Sequence, residues 1–318
     1  MSENNTSGWE RAVLEKLALA AVTEQRRARR WGIFFKFLIF AYLFLVLFIA
    51  LGWMGKKDGS HEKHTALVDI NGVIGPGTPA SADAIMQGLG EAFKDKRTKG
   101  VILRINSPGG SPVQSGYIND EIKRLRAKHP EIPLYAVVED VCASGGYYIA
   151  VAADKIYVNK ASMIGSIGVL MNGFGFTGTM DKLGVERRLL AAGENKGFLD
   201  PFSPLNDTQK EYAQKMLGEI HEQFIDVVRK GRGKRLKETP EMFSGLVWVG
   251  QKSIELGLTD AIGSMEQVAR DVIKAEEIVD FTPRENVAER FAKRFGAATA
   301  ESLLRLGSAG GAGGMTIR

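Results

Sequence analysis

Hydrophobic and polar positions divide the chain into three regimes. In the first, Trp9, Val13, Leu14, Leu17 and Ala21 recur at helical spacing after Ser7-Gly8-Trp9-Glu10, a capping-box opening. This predicts an amphipathic helix that runs into the basic cluster Arg26 to Arg30. In the second, Ile33 to Met54 is apolar apart from Lys36, whose long stem lets its ammonium reach the near interface. A helix of about 22 residues is roughly 33 Å long, enough to cross a bilayer. Trp31, Phe34, Phe35 and Trp53 suit the two interfaces. A cleaved signal peptide fits less well, because the apolar core is too long and a polar stretch precedes it. In the third regime, beyond a polar linker from Lys56 to Thr65, strand-like and helix-like runs alternate. Strands are predicted at Ala66 to Ile70, Gly100 to Ile105, Leu134 to Val138 and Lys155 to Val158. Helices are predicted at Ser81 to Lys94, Ser115 to Lys128, Ala143 to Ala153, Asn206 to Arg229, Gly250 to Leu256 and Met265 to Lys274. Alternation of this kind predicts an α/β fold with a mainly parallel sheet. Val287 to Leu306 reads as an amphipathic helix and Gly307 to Arg318 as a flexible, Gly-rich tail.

Charge changes this picture little. The net charge is +5, but Arg26-Arg27, Arg29-Arg30 and Lys56-Lys57 flank the apolar segment, so membrane topology accounts for them. The basic run Arg229 to Lys237 reads as a solvated or subunit-facing surface. No zinc spacing, Walker loop or aromatic-basic platform is present, so no metal, no cofactor and no nucleic-acid partner is expected. The single cysteine, Cys142, precludes an internal disulfide and reads as a small buried apolar side chain.

The chemistry centres on Asp140 to Ala150. Ser144 lies between Ala143 and Gly145-Gly146, at a corner between a strand-like and a helix-like run. Small neighbours allow a substrate backbone to approach, and a helix start offers free N–H groups. The same pattern also describes a serine that merely caps a turn. A nucleophilic serine needs a base. His61 and His64 lie in the linker, His129 before Pro130 and His221 on the long helix. None has a catalytic setting in the sequence, although the fold could bring one close. A Ser-Lys pair is the other option. Lys196 lies between Gly193 and Gly197 with apolar residues following, a context able to desolvate an amine, but position alone does not single it out among the lysines.

Seven stretches together resemble the signal peptide peptidase A family of serine proteases. In family order they are Asn106-Ser107-Pro108-Gly109-Gly110, Ala143 to Tyr148, Gly165 to Val169, Lys182 to Val185, Gly193 to Phe202, Lys230 to Gly233 and Leu258 to Gly263. The resemblance covers roughly Ala66 to Lys274. The resemblance implies a ClpP/crotonase-like α/β fold preceded by one transmembrane helix. It implies Ser144 as nucleophile, Lys196 as base and Ser166 as the residue that orients the lysine. Backbone N–H groups near Gly109, Gly110 and Gly145 would hold the oxyanion. It also implies a homo-oligomer with active sites at subunit interfaces. The substrates would be cleaved signal peptides and other membrane-associated peptides. Where the family shows a longer glycine run, Ser111 follows Gly110 here. A crotonase-type acyl-CoA enzyme and a non-catalytic membrane scaffold are the alternatives. The apolar span and the lack of an acidic pair after an oxyanion glycine speak against the first. The presence of both Ser144 and Lys196 speaks against the second.

The organisation expected is a cytoplasmic helix and basic cluster over 1–32, a transmembrane helix over 33–54 and a linker over 55–65. A peptidase domain over 66–275 and a C-terminal helix and tail over 276–318 follow. Five basic residues from Arg26 to Lys36, against Lys56, Lys57 and Lys63 beyond the span, place the N-terminus inside. The chain is thus expected as a single-pass protein of a bacterial inner membrane, its catalytic domain periplasmic or otherwise extracytoplasmic. Reporter fusions after Lys63 and at Arg318 should both report an extracytoplasmic position, and a cytoplasmic signal from either would overturn this topology.

Overall fold

The computed structural model describes residues 6–50 and 62–283. The C-terminal helix and tail expected from Val287 onward, and most of the linker, lie outside the described residues. The first element, α1, is one helix over Thr6–Ala50. Its stretch Val13–Phe48 is long and apolar enough to cross a membrane, with a mean hydropathy of 2.2 in its most apolar window. Residues 60–284 make a separate compact unit.

That unit is built on an eight-stranded sheet. In chain order, β1 (His64–Asn71) leads through α2 (Ala82–Lys94) to β2 (Thr98–Ser107), and α3 (Pro112–Lys128) leads to β3 (Leu134–Ala143). Then come α4 (Gly145–Ala150), β4 (Lys155–Val158), β5 (Met163–Gly165), α5 (Thr177–Leu183) and α6 (Asp207–Arg232). The chain closes with β6 (Val247–Val249), α7 (Gly250–Glu255), β7 (Ala261–Ile262), α8 (Met265–Gln267) continued by a π-helical turn at Val268–Ile273, and β8 (Ile278–Asp280). The main strand order is β6-β5-β3-β2-β1-β8, with β4 and β7 branching from β3. Every pairing is parallel except β5 with β6.

Local chemistry sets the helix starts. Ser81, Ser111 and Asn206 each accept a backbone N–H three residues on, and Pro112 occupies the first turn of α3, where its missing N–H costs nothing. Both faces of the sheet are covered, so its strands are apolar on successive residues rather than alternating. Val68, Leu103, Ala136 and Ile156 face Ile85, Leu89, Ile118 and Ile122 of α2 and α3. Leu67, Ile102, Val137 and Tyr157 face Val268, Ala269 and Ile273.

The basic run Arg229 to Lys237 departs from its expected solvated role at one residue. Arg232 is 1 % exposed. Its guanidinium donates to both Asp260 carboxylate oxygens at 2.8 and 3.0 Å and to the Gly257 carbonyl at 2.8 Å. A buried charge is tolerated when its donors are matched by an oppositely charged fork. Asp260 also accepts the Ile156 N–H at 2.7 Å, which ties the pair to β4. Burial raises the Asp260 carboxyl, but the Arg232 guanidinium outweighs burial and holds it below the ordinary carboxylate value. This carboxylate therefore contributes stability that is complete above an unfolded value of about 3.9. The contribution is lost as pH falls through the lower folded value. Asp260→Asn should cost roughly 3–5 kcal/mol at neutral pH, because Arg232 stays buried without its counter-charge. It should also flatten the acid limb of stability. Urea denaturation of the full-length chain across pH checks both, and an unchanged midpoint would deny the pair this role.

Candidate active site

Strand β3 carries the chain to the site. Its last residues pair with β5, Val141 with Met163, Cys142 with Ile164 and Ala143 with Gly165. Ser144 then breaks the strand at φ 51° and ψ −121°, outside the ordinary regions for a residue with a side chain. Its N–H donates to the Gly165 carbonyl at 2.8 Å, and its carbonyl accepts the Tyr148 N–H at 2.9 Å. The corner is thus pinned to the sheet on one side and to α4 on the other. Ser144 occupies the cap position of α4, yet its hydroxyl makes no capping bond. The capping alternative left open by the sequence therefore does not describe it. The hydroxyl is half-buried and finds no hydrogen-bond partner among the described residues.

A second loop lies against this corner. Ser107 ends β2, donates its hydroxyl to the Gly72 carbonyl at 2.7 Å and accepts the Gly109 N–H at 3.1 Å. Gly109 and Gly110 follow at φ 99° and 152°. Ile74 brackets the loop: its N–H reaches the Gly109 carbonyl and its carbonyl accepts the Ser111 N–H, each at 2.9 Å. A Cβ on Gly109 would lie 2.7 Å from both Ser144 Cβ and the Gly145 nitrogen. Only glycine allows the two backbones to come so close. A Cβ on Gly145 would lie 3.3 Å from the Gly110 nitrogen, so these two N–H groups are neighbours. Neither has an acceptor among the described residues. The Gly109 N–H, by contrast, is already taken by Ser107. Two neighbouring unengaged backbone N–H groups next to the Ser144 corner are the kind of donor pair that can stabilise a tetrahedral intermediate in acyl transfer.

Ser166 directly follows Gly165, whose carbonyl holds the Ser144 N–H. It too has φ 51°. Its N–H donates to the Leu246 carbonyl at 2.7 Å, and its carbonyl accepts the Gly168 N–H at 2.9 Å. Cys142, two residues before Ser144, is fully buried, and burial pushes its thiol well above the ordinary value, so it is inert. Arg104 is engaged by Asp69 through two bonds of 3.0 Å, in keeping with a structural part.

Lys196 is placed differently. It lies in a run of tight turns, with its N–H on the Gly193 carbonyl at 3.0 Å and its side chain exposed. No hydrogen bond or ion pair joins it to Ser144 or Ser166 among the described residues. Its turn belongs to an arm between β5 and α6 that packs on itself. Phe176 stacks on Phe202 at 5.4 Å, Arg187 pairs with Asp200 at 3.2 Å, and Phe198 meets Tyr212 of α6 edge-on at 5.9 Å. Within the arm, Met171, Phe174, Leu189, Leu199 and Leu205 line a cleft of about 770 Å³. One chain thus gathers Ser144, Gly109, Gly110, Gly145 and Ser166, and leaves Lys196 apart.

Sequence reasoning overlooked two supports of the corner. Ser115, in the first turn of α3, is fully buried beneath Gly145, whose Cβ would lie 2.4 Å from the Ser115 Oγ. His221 reaches the loop after Ser166. A polar residue among the apolar positions Ala213, Phe224 and Val228 of one helix was the available signal for it.

The corner lies at the end of a strand in a mostly parallel α/β sheet, and comparison with known proteins gives the family. The model of Peptidase family S49 matches residues 126–279. A protein from Enterococcus faecium named after signal peptide peptidase SppA is 30% identical over 234 residues, covering 71% of this chain and 67% of that protein. Protease 4 of Haemophilus influenzae is 32% identical over 219 residues, covering 68% of this chain and 35% of its own length. A protein named Na(+)/H(+) antiporter NhaA from Brucella melitensis is 46% identical over 177 residues, 56% of this chain, and the chain spans 24% of that relative. The chain belongs to peptidase family S49.

Gly145→Ala should slow labelling of the chain by a fluorophosphonate about tenfold or more, since strain of ~1–3 kcal/mol enters at the corner. Adding Ser115→Ala removes the atom the new methyl meets and should restore part of the rate. Labelling of Gly145→Ala at the unsubstituted rate would show that the contact does not set the corner.

Proposed function

We propose that this chain is a membrane-anchored endopeptidase in which Ser144 is the nucleophile and Lys196 the general base. The reading rests above all on Ser144, held at a strained corner with an unengaged hydroxyl beside two unpaired backbone N–H groups. In the first step Ser144 Oγ bonds to a peptide carbonyl carbon while its proton passes to a neutral Lys196 Nζ. The carbonyl oxygen gains the charge and is met by the Gly110 and Gly145 N–H groups. Collapse of the intermediate breaks the C–N bond, and the lysine returns the proton to the departing amine. A water then attacks the acyl-enzyme, again losing its proton to Lys196, and frees Ser144.

A lysine serves as base only when neutral, which requires a dry pocket, because a free lysine is protonated below about 10.4. An exposed Lys196 in an isolated chain does not meet that requirement. The reading therefore includes a homo-oligomer in which Lys196 of one copy completes the Ser144 site of a neighbour, with Ser166 steadying the amine. The exposed apolar side chains of the arm, Leu170, Phe174, Leu183 and Leu190 among them, support such a partner. Helix α1 supplies the anchor, and the substrates are extended apolar peptides at the membrane, cleaved signal peptides first. The name of the Enterococcus relative supports signal peptides as substrates, and that of the Haemophilus relative supports proteolysis.

Ser144→Ala and Lys196→Arg should each abolish peptide cleavage with the fold kept, since arginine retains the charge but cannot supply a neutral amine. Co-assembled Ser144→Ala and Lys196→Ala subunits, each inactive alone, should regain partial activity, because some interfaces then join an intact serine to an intact lysine. Near-normal turnover by Lys196→Arg would remove it from the mechanism. Mixed assemblies confirmed by mass but inactive would place each dyad within one chain.

A further inference from the structure

We propose that His221 is a positioning residue for Ser144, acting through the Gly165 to Gly168 loop. This rests on the reading of Ser144 as nucleophile. His221 Nε2 lies 3.1 Å from the Ile167 carbonyl oxygen. A carbonyl only accepts, so the ring carries its hydrogen on Nε2 and donates it. The bond joins α6 to the loop between Gly165 and Gly168. Gly165 provides the carbonyl that holds the Ser144 N–H at 2.8 Å. Ser166 is left-handed at φ 51°, and such a residue persists only where its surroundings over-determine it. Three bonds do this: Ser166 N–H to Leu246 at 2.7 Å, Gly168 N–H to Ser166 at 2.9 Å, and His221 to Ile167. The first comes from the residue before β6 and the second lies within the loop. The third alone ties the loop to α6.

The helix is well placed for this. His221, Phe224 and Val228 share one face at i, i+3 and i+7. Phe224 meets the Tyr148 ring of α4 at 5.2 Å, and Val228 is fully buried. One stripe of α6 therefore touches both sides of the nucleophile corner, α4 through Phe224 and the β5 loop through His221. A polar residue on that stripe is out of place for packing alone, and its donor lies in hydrogen-bond range of a carbonyl one residue from Ser166. Fixing Ile167 fixes Ser166, and with it the Gly165 carbonyl on which Ser144 hangs.

The test uses the full-length chain with His221→Phe, which keeps a ring and removes the donor, and His221→Gln, whose amide nitrogen can take the place of Nε2. The fluorophosphonate labelling rate at Ser144 should fall at least about tenfold in His221→Phe and return to within about threefold of the unsubstituted rate in His221→Gln. A role in packing alone predicts the reverse order, because phenylalanine fills the site better than glutamine. Labelling of His221→Phe at the unsubstituted rate, or equal slowing in both variants, would overturn the proposal. Hydrogen exchange of the Ser144 amide gives a second readout that does not depend on catalysis. It should quicken in His221→Phe and not in His221→Gln, and unchanged exchange in His221→Phe also overturns the proposal. If the unsubstituted chain is not labelled at Ser144, the nucleophile reading fails separately, and exchange alone decides whether His221 holds the corner.

Discussion

A left-handed serine between a strand and a helix is the constraint around which this fold is arranged. Such a backbone costs about 1–3 kcal/mol and reverts unless its neighbours prevent it. At Ser144 the neighbours act from three directions. The Gly165 carbonyl holds its N–H, α4 holds its carbonyl through Tyr148, and Gly109 packs on its Cβ. Each contact needs its own support. Gly109 stays in place because Ile74 brackets the loop and Ser107 takes the Gly109 N–H. The strain thus places the hydroxyl clear of its own backbone, where a capping serine would have spent it on an N–H of the first turn.

Helix α4 is too short to resist on its own, with six residues. It is anchored from below. Tyr147 is fully buried and donates its hydroxyl to the Leu258 carbonyl at 2.7 Å. Leu258 lies between Gly257, bound by Arg232, and Asp260, bound by Arg232 and by β4. The Arg232–Asp260 pair therefore does more than neutralise two charges. It fixes the segment on which Tyr147 rests. A buried pair is weak evidence for stability in itself, since apolar residues of like volume often serve as well. Its worth here lies in direction: a guanidinium fork and a carboxylate set the angle between α6, β4 and the 257–260 loop.

Much of this was legible in the sequence, and the failures have physical causes. Strands β1, β2 and β4 and helices α2, α3, α6 and α7 stood out because their apolar runs or periodic apolar positions are separated by polar, Gly- or Pro-containing stretches. Strand β3 runs on to Ala143, beyond its expected end at Val138. Glu139 and Asp140 interrupt the apolar pattern, but the backbone pairs through Val141 to Ala143 with β5, and pairing does not depend on side-chain polarity. The helix expected from Ala143 begins only after Ser144, because the left-handed serine cannot belong to it. Strand β5 is absent from the expected strands, since three residues give too short a pattern to read. Arg232 looked like its basic neighbours because its partner, Asp260, lies 28 residues away. The corner at Ser144 was legible from its small neighbours, whereas Ser115 acts through a contact that no local pattern announces and His221 shows only as a polar residue on an apolar helix face.

The arm between β5 and α6 is the part of the chain least explained by the packing of its own body. Leu170 is 82% exposed and Leu190 97%. Leu183, Phe174 and Leu205 are each exposed by more than 60%. Scattered apolar side chains are ordinary on a surface, but so many large ones on one arm are what an association of the proposed kind would cover. The arm is nonetheless ordered within itself, through Phe176 on Phe202 and Arg187 on Asp200. A segment that keeps its own shape while leaving its apolar side chains in water is prepared to bind without a large ordering cost. Under the proposed mechanism the same docking would dry the lysine that the arm carries. Burying the leucines drives association, and the water expelled is the water that would otherwise keep the amine charged. Assembly and activation of the base would then be a single event, and a free subunit would carry its serine corner fully formed but without a base.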